Sequence, residues 1–381
     1  MQKFIFDIDI VGTCNLRCRS CPQGNIRDYR PPHGFMAPEL LEKIIDKIKV
    51  ESHVVQVNLF NWAEPLFHPQ LPDLIRIIQN AGIPCHLSSN LNILPNADAI
   101  MAVGPASFKI SVSGFSQAVY GYSHRGGNIE KVKKNMVDLV GAKKKNNAST
   151  RIFVNYHRYL HNLKEELQMR EFAESLGIEF EPVWALMLPL EKILNSVDKD
   201  ADSFPLTEED RELIDCLALP FWKALKAANK QDGKSCRLQN EQVSLNFKGD
   251  VMLCCGFFDT SKYTLGNFLD LQLEEIQKLR FNHPVCHRCK RLGGHLYLNY
   301  GIDEMDELAL ANISQEDADL LDLFSEIHKK RLQKRLAKFH NRFLPKVLTL
   351  EQKKALGNYL SGLQQFIIHV GRTRFGKSKR S

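Results

Sequence analysis

Six strand-like runs alternate with helix-like stretches over the first half of the chain, and this alternation restricts the fold more than any other feature. The runs are FIFDIDI (4–10), VVQVNLF (54–60), PCHLS (84–88), SFKISVS (107–113), RIFVNY (151–156) and IEFEPV (178–183). Strands that alternate with helices predict a parallel sheet, and strands this apolar predict a sheet covered on both faces. Six units are too few for a complete eight-stranded barrel. We therefore predict an α/β fold built on an open, partial (β/α)6 TIM-type barrel.

The sequence pattern divides the chain into four segments. These are a barrel at 1–190, a helical connector at 191–230, a small domain at 231–303 and a helical basic extension at 304–381. In the connector, Thr207 is expected to cap a helix. In the small domain, two β-rich runs join through Lys248-Gly249-Asp250 as a β-hairpin, and a short helix is predicted at 273–280.

The composition is that of an ordinary soluble protein, with 44% hydrophobic and 25% charged residues. No run of about twenty apolar residues occurs, which excludes a membrane-spanning helix, and the N-terminus lacks the features of a signal peptide. We therefore expect a cytoplasmic protein. Its ten cysteines should then be reduced, and cysteines clustered in the sequence indicate metal binding rather than disulfides.

Three cysteines crowd into the loop after the first predicted strand. Cys14, Cys18 and Cys21 have the spacing C-x3-C-x2-C. A structural zinc site, the simplest alternative, needs four closed ligands, and no fourth Cys or His stands at a natural spacing. Three thiolates suit a [4Fe–4S] cluster that leaves one iron open to an outside ligand. Because the loop follows a strand, it should open at the carboxyl face of the barrel, where such folds build active sites.

This loop on a six-unit partial barrel resembles the radical S-adenosylmethionine (SAM) enzymes. The resemblance implies that SAM chelates the open iron through its amino and carboxylate groups. It also implies that an electron from the cluster, supplied by a flavodoxin or ferredoxin, cleaves the sulfonium. The 5′-deoxyadenosyl radical then takes a hydrogen atom from a small-molecule or peptide substrate.

Further matches to this family follow at the other strand ends. The stretch NWAEP (61–65) resembles the family's Gly-Gly-Glu-Pro element, with Trp62 and Ala63 in place of the glycines. Arg125 is a possible partner of the SAM carboxylate, because a guanidinium can bind a carboxylate through two hydrogen bonds. The resemblance implies a SAM site built from Glu64, Ser88, Asn90, Ser111, Ser113, Arg125, Asn155 and Tyr156.

A second group of cysteines lies in the small domain, at Cys236, Cys254, Cys286 and Cys289. Taken alone, this group fits a zinc ribbon. Beside the first motif, it resembles the family's SPASM extension or its shortened twitch form, which hold auxiliary clusters. The full extension needs more cysteines, and none follows Cys289. The resemblance therefore implies one auxiliary [4Fe–4S] cluster with four protein ligands.

Three cysteines remain. Cys85 in the third strand and Cys216 in a helix are predicted to be core residues. Neighbours in a strand point to opposite faces, so Cys255 is expected to face away from Cys254. It is then either a core residue or a thiol that donates a hydrogen atom to the substrate.

Three functions remain open at this point. The first is a SAM-dependent oxidoreductase that dehydrogenates a sugar, an aminocyclitol or a peptide side chain, with the auxiliary cluster accepting an electron. The second is a redox-neutral epimerase, dehydratase or peptide maturase, in which Cys255 or Cys216 donates hydrogen. The third is a non-enzymatic zinc and nucleic-acid-binding protein.

The basic tail favours the third function. Residues 329–381 hold 15 Lys and Arg and one acid, a net charge of +14, whereas residues 1–328 carry −7. Such a tail can bind RNA, an anionic membrane surface or an acidic partner, or it can be a solvated helix face.

Overall fold

The computed structural model describes residues 1–27, 29–198, 205–231, 233–323, 326, 327 and 330. The chain has two compact units, residues 1–321 and residues 322–381. Almost all of the second unit, and with it the predicted basic tail, lies outside the described residues.

The first unit is built on one nine-stranded sheet with the order β6-β5-β4-β3-β2-β1-β7-β8-β9. The strands are β1 (Lys3–Ile8), β2 (His53–Asn58), β3 (Cys85–Ser89), β4 (Ser107–Val112), β5 (Arg151–Arg158), β6 (Glu179–Trp184), β7 (Gln242–Leu245), β8 (Asp250–Met252) and β9 (Thr264–Asn267). Strands β1 to β6 are parallel to their neighbours, and the sheet does not close, since β6 and β9 are its two edges. The predicted partial barrel is confirmed.

The predicted hairpin is also present, but it continues the sheet of the barrel. Residues Ile5–Ile8 of β1 pair in parallel with Gln242–Leu245 of β7, and β8 and β9 follow as antiparallel strands. Strand β9 was not predicted from the sequence. The domain boundaries stay a prediction, because the hairpin and the barrel share one hydrogen-bonded sheet.

Helices fill most connections between the strands. In the barrel they are α1 (Pro22–Asn25), α2 (Pro38–Glu51), α3 (Leu71–Asn80), α4 (Ala97–Val103), α5 (Gln117–Ser123), α6 (Ile129–Lys145) and α7 (Glu166–Ser175), with 3-10 turns at Pro65–Phe67 and Leu163–Glu165. After β6 they are α8 (Leu190–Asp198), α9 (Glu208–Asp215), α10 (Phe221–Asn229), α11 (Arg237–Glu241), α12 (Thr260–Tyr263), α13 (Leu273–Asn282), α14 (Pro284–Arg291), α15 (Gly294–Leu298), α16 (Glu304–Leu310) and α17 (Gln315–Leu320). In the described part of the chain, no helix has the length and apolar composition needed to cross a bilayer.

Local sequence explains several helix ends. Thr207 caps α9 as predicted, in a capping box with Asp210. Gly177 follows α7 with a φ of 73°, a left-handed conformation that glycine adopts without steric cost. The apolar residues of α2, including Ile44 and Ile48, are buried on one face, as their helical period predicts.

The barrel strands have one apolar and one polar face, because successive side chains point to opposite sides. On the outer face, Phe6 and Ile110 are fully buried in the core that the helices cover. On the inner face, Asp7 accepts a hydrogen bond from Asn58 Nδ2 at 2.7 Å. Lys109, also on this face, stacks its ammonium on the ring of Phe60 with 4.6 Å between the nitrogen and the ring centroid. The inside of the barrel is therefore polar and charged.

A buried carboxylate joins the connector to the segment after the hairpin. Glu191 Oε1 accepts hydrogen bonds from the backbone N–H groups of Phe258, at 2.7 Å, and Asp259, at 3.1 Å. Burial raises the pKa of Glu191 to about 7. Its other oxygen, Oε2, has no partner among the described residues.

We expect Glu191→Gln to become more stable than the wild type as the pH rises. The folded protein holds this proton up to about pH 7, whereas the unfolded chain releases it near pH 4.5, so ionisation costs stability progressively between these values. Glutamine keeps the accepting oxygen and removes the ionisation. At about 1.4 kcal/mol per pKa unit, the variant should gain on the order of 2–3 kcal/mol relative to the wild type between pH 5 and pH 8.

The measurement is the free energy of unfolding in urea at several pH values. Glu174→Gln, at an exposed position of α7, is the control. Parallel pH profiles for Glu191→Gln and the wild type would contradict the prediction.

Candidate active site and second cysteine cluster

The first three cysteines lie in the loop that leaves β1. Backbone hydrogen bonds within this loop run from Cys21 N to Cys18 O, at 3.1 Å, and from Gly24 N to Cys21 O, at 2.9 Å. Burial raises the pKa of Cys14 and Cys21 to about 12, and it raises the pKa of Cys18 in the same direction. The Cys14 thiolate adds to this shift in Cys18 and Cys21, and the Glu64 carboxylate adds to it in Cys14, so the loop brings the sulfurs together. Binding a cationic metal centre is the means by which such thiols become thiolates.

The segment after α5 holds this loop in place. Arg17 N donates to Arg125 O and Arg19 N donates to Ser123 O, both at 3.0 Å. The Arg125 guanidinium donates to the carbonyl oxygens of Arg17, at 3.0 Å, and Gly24, at 2.6 Å, and it contacts Glu209 at 2.7 Å. In this structure Arg125 therefore fixes the backbone of the cysteine loop. Its predicted contact with the SAM carboxylate stays a prediction.

Gly24 sits where no side chain fits. A Cβ atom there would lie 2.3 Å from the carbonyl carbon and oxygen of Arg17 and 2.4 Å from the carbonyl oxygen of Cys18. The next residue, Asn25, donates from Nδ2 to the carbonyl oxygens of Arg19, at 3.0 Å, and Leu188, at 2.7 Å. The loop is thus packed against its own backbone and tied to the chain that follows β6.

Two buried carboxylates organise the loop after β2. Asp9 Oδ1 accepts hydrogen bonds of 2.9–3.1 Å from the backbone N–H groups of residues 61, 62 and 63. Glu64 accepts from Leu66 N, at 3.2 Å, and from Asn90 N, at 2.9 Å, and its own N–H donates to Thr13 O at 3.0 Å. Burial raises the pKa of Asp9 to about 6 and that of Glu64 to about 7. These hydrogen bonds join three segments, namely the loop after β2, the end of β3 and the cysteine loop.

The sequence motifs did not identify Asp9 as a residue of the site. Its only signal in the sequence is an acid inside the apolar run FIFDIDI, and the sequence does not show that three consecutive N–H groups of a distant loop converge on it.

The other predicted SAM residues lie in different environments. Asn90 is beside the cysteines, since its Nδ2 lies 2.8 Å from Asn15 Oδ1 and 3.6 Å from Cys14 Sγ. Ser113 is buried, and its Oγ lies 2.6 Å from His124 Nδ1.

Strands β3 to β5 carry the remaining predicted residues. Ser88, Ser111 and Asn155 have the parity of the inner face, and Asn155 Nδ2 donates to Glu181 O at 3.2 Å. Tyr156 has the opposite parity, is fully buried in the core, and donates from its hydroxyl to Asn162 O at 2.9 Å. The structure therefore brings Glu64 and Asn90 to the cysteine loop and turns Tyr156 toward the helices.

The four later cysteines converge on one cavity. Cys236 caps α11, Cys254 follows β8, and Cys286 and Cys289 lie on α14. All four line the same cavity, whose other walls are apolar or basic apart from one amide and consist of Leu190, Leu238, Gln239, Leu253, Phe257, Arg280, Lys290 and His295. A Cβ atom on Gly294 would lie 2.9 Å from Cys289 Sγ, so this wall is tightly packed. The four thiols are placed as one donor set.

Cys254 and Cys255 lie beyond the end of strand β8. The strand ends at Met252, so the alternation of a strand does not extend to these two residues. Cys254 lines the cavity of the second site, and Cys255 is not among the residues that line it. The expectation that Cys255 faces away from Cys254 stays a prediction. Cys85 is fully buried, as predicted, whereas Cys216 is partly buried beside the Tyr122 hydroxyl, with 3.3 Å between oxygen and sulfur.

The number of thiols at each site bears on the metal centre that it can hold. Among the residues that the structure describes, no three His, Cys, Asp or Glu side chains are arranged to hold a single metal ion. A zinc ion would draw its thiolates to within about 3.8 Å of each other, from Zn–S bonds of about 2.3 Å. A four-iron cubane is held by thiolates at its outer corners and tolerates wider spacing. Three thiols at the first site and four at the second fit such clusters.

Comparison with known proteins gives a match for the barrel. Residues 8–168 match the family model described as the Radical SAM superfamily. The chain is also similar to the tungsten-containing aldehyde ferredoxin oxidoreductase cofactor-modifying protein of Pyrococcus furiosus. The two are 23% identical over 300 residues, which cover 72% of this chain and 80% of the relative.

Solved structures also resemble this chain. BtrN in complex with AdoMet and 2-DOIA is 15% identical, with a TM-score of 0.44, over 78% of this chain and 91% of BtrN. SuiB of Streptococcus suis bound to S-adenosylmethionine is 12% identical, with a TM-score of 0.49, over 76% of this chain and 68% of SuiB. Native anSMEcpe with bound AdoMet is 17% identical, with a TM-score of 0.47, over 76% of this chain and 88% of anSMEcpe.

We expect Gly24→Ala to lose the iron held by the cysteine loop while the protein stays folded. The added methyl group must displace the carbonyls of Arg17 and Cys18, and with them the positions of the thiols. After anaerobic reconstitution, the iron content per chain should fall to that of Cys18→Ala. Gly141→Ala on α6, where a Cβ atom would meet nothing within 4 Å, is the control and should bind as much iron as the wild type. Wild-type iron content in Gly24→Ala would show that the loop tolerates the displacement.

Proposed function

We propose that this chain, whose residues 8–168 form a radical SAM domain, is an oxidoreductase that removes two electrons and two protons from a polar substrate. The observation that carries the proposal is the convergence of Cys236, Cys254, Cys286 and Cys289 on one cavity. Four protein thiolates close every corner of a four-iron cluster, which leaves no iron to bind substrate. Electron transfer is then the role left to the second site.

At the first site, Cys14, Cys18 and Cys21 would hold a four-iron cluster through three thiolates, and its fourth iron would be open to SAM. When bound, the cluster and SAM supply the 5′-deoxyadenosyl radical that takes a hydrogen atom from the substrate. Asp9 holds the loop of residues 61–63 and Glu64 holds the end of β3, so the backbone that faces SAM is fixed before SAM arrives. Asn90, Ser88 and Ser111 lie on the same side and complete the proposed SAM site, with Ser113, Asn155 and Arg125 around it.

The electron balance explains the need for a second site. A carbon that bears OH or NH would lose a hydrogen atom to the radical and then a proton, and a cluster held by the four later cysteines would accept the remaining electron. The product is a ketone or an imine. The polar inner face, with Asp7, Asn58 and Lys109, suits a substrate rich in hydroxyl or amino groups.

The substrate class follows from this polarity. A sugar, an aminocyclitol or a polar peptide side chain fits it, and the name of the Pyrococcus furiosus relative adds the cofactor of a metalloenzyme as a candidate. A flavodoxin or ferredoxin supplies the electron for SAM cleavage, and we place the protein in the cytoplasm. Binding of RNA, an anionic membrane surface or an acidic partner by residues 329–381 stays a prediction.

Iron content tests the two-site arrangement. The wild type should bind about eight irons per chain after anaerobic reconstitution, as two four-iron clusters require. Replacing Cys14, Cys18 and Cys21 by alanine should leave about four, and replacing the four later cysteines should also leave about four. Cys85→Ala, a buried thiol outside both groups, is the control and should keep about eight. Zinc in place of iron would end the proposal and favour the zinc-binding, non-enzymatic alternative.

The product separates oxidation from the redox-neutral alternatives. With a panel of sugars, aminocyclitols and peptides, we expect 5′-deoxyadenosine to form together with a product that has lost two hydrogens by mass. Unchanged mass with one solvent deuterium would instead indicate epimerisation, and loss of water would indicate dehydration. Cys255→Ala should still oxidise its substrate, whereas an epimerase that uses this thiol would lose turnover.

A further inference from the structure

A buried arginine faces the four thiols of the second site. Arg280 on α13 is 2% exposed, and its side chain lines the cavity together with Cys236, Cys254, Cys286 and Cys289. Two other basic residues line this cavity: Lys290 is only partly buried, and burial lowers the pKa of the buried His295, which favours its neutral form.

The guanidinium of Arg280 is hydrogen-bonded to neutral groups alone. Its Nε donates to Leu253 O at 3.0 Å, and its two terminal nitrogens donate to Gln242 O, at 2.6 Å, and Leu238 O, at 2.8 Å. In the described part of the chain, no carboxylate forms an ion pair with it. The nearest acid in this network is Asp7, which accepts from the side chain of Gln242 and does not touch Arg280.

Two other buried cations among the described residues of the first unit are paired. Arg158 makes two hydrogen bonds to Glu166, at 2.7 and 2.8 Å, and Lys192 contacts Asp210 at 2.5 Å. An unpaired buried charge costs several kcal/mol, because water no longer solvates it. The balancing negative charge for Arg280 must therefore come from the four thiols that share its cavity.

A cluster held by four thiolates supplies that charge. Its net charge is about −2 when oxidised and about −3 after it accepts one electron. A fixed positive charge beside it stabilises the reduced form more than the oxidised form, and in a buried site this effect is weakly screened. Three backbone carbonyls hold the guanidinium in place, so the field is present before the electron arrives.

We propose that Arg280 is the counter-charge of the second cluster and raises its reduction potential, which fits it to accept the electron from the substrate. This inference rests on the proposed function, because it requires a cluster at the second site. Arg280 acts through that cluster and is a positioning residue for electron transfer.

The test isolates the second cluster in the full chain with Cys14, Cys18 and Cys21 replaced by alanine. Iron content is measured first, and the midpoint potential is then determined by redox titration followed by electron paramagnetic resonance. In Arg280→Gln, we expect at least a tenfold fall in the ratio of reduced to oxidised cluster at the wild-type midpoint, which corresponds to 59 mV for one electron. Arg280→Lys keeps the charge but not the three carbonyl bonds, and its potential should stay near that of the wild type.

The control is Arg237→Gln. Arg237 follows Cys236 directly, but it is exposed and paired with Glu241 at 2.7 Å, so its removal should leave the potential unchanged. If Arg280→Gln does not fold, Arg280→His provides a charge that titrates near pH 6.5. The potential of that variant should fall more steeply as the pH rises through this range than that of the arginine form, whose cavity wall holds His295 as well.

The two proposals fail in different ways. Two results would overturn the role of Arg280 and leave the proposed function intact. The first is about four irons per chain in Arg280→Gln with the potential of the triple-alanine parent, and the second is a pH-independent potential in Arg280→His. Equal shifts in Arg280→Gln and Arg280→Lys would show that the carbonyl bonds matter and the charge does not. No iron in the triple-alanine chain would overturn the second cluster, and the inference with it.

Discussion

The parallel pairing of β1 with β7 is the constraint on which both cysteine groups depend. Strand β1 leads directly into the loop of Cys14, while β7 lies between Cys236 and Cys254 in the chain. The ladder is extended by a hydrogen bond from Asp9 N to Leu245 O at 2.9 Å. A hydrogen-bonded ladder is stiff, so it fixes the separation of the two sites. A fixed separation is what transfer of an electron from a reacting substrate to a second acceptor requires.

Buried carboxylates have a common role in this protein. Asp9, Glu64 and Glu191 each accept hydrogen bonds from two or more backbone N–H groups of loops that have no regular secondary structure of their own. Burial raises the pKa of each, to about 6 for Asp9 and about 7 for the other two. Burial of a carboxylate is unfavourable, but it is offset because the backbone N–H groups would otherwise be buried without a hydrogen-bond acceptor, which is also unfavourable. The result is a set of loops that are organised independently of any ligand.

The charge pattern of the second site differs from the rest of the interior. Two other buried cations each meet a carboxylate, Arg158 with Glu166 and Lys192 with Asp210. At the second site the cation is Arg280, and four thiols line the same cavity. In the proposed function these thiols hold a metal centre, which would couple metal binding to the charge balance of an arginine that has no ion-paired acid among the described residues.

The sequence by itself determined the six parallel strands, the Thr207 cap and the two cysteine groups, because each depends on local periodicity or on spacing within a short segment. Only the tertiary structure decided which side chains meet. Strand parity turned Tyr156 to the helices, and the early end of β8 removed Cys254 and Cys255 from the alternation of a strand. Asp9 and Arg280 act on groups that lie far away in the chain, and their partners are fixed by packing between elements. No local pattern encodes such contacts, because they form only when the sheet has brought distant segments together.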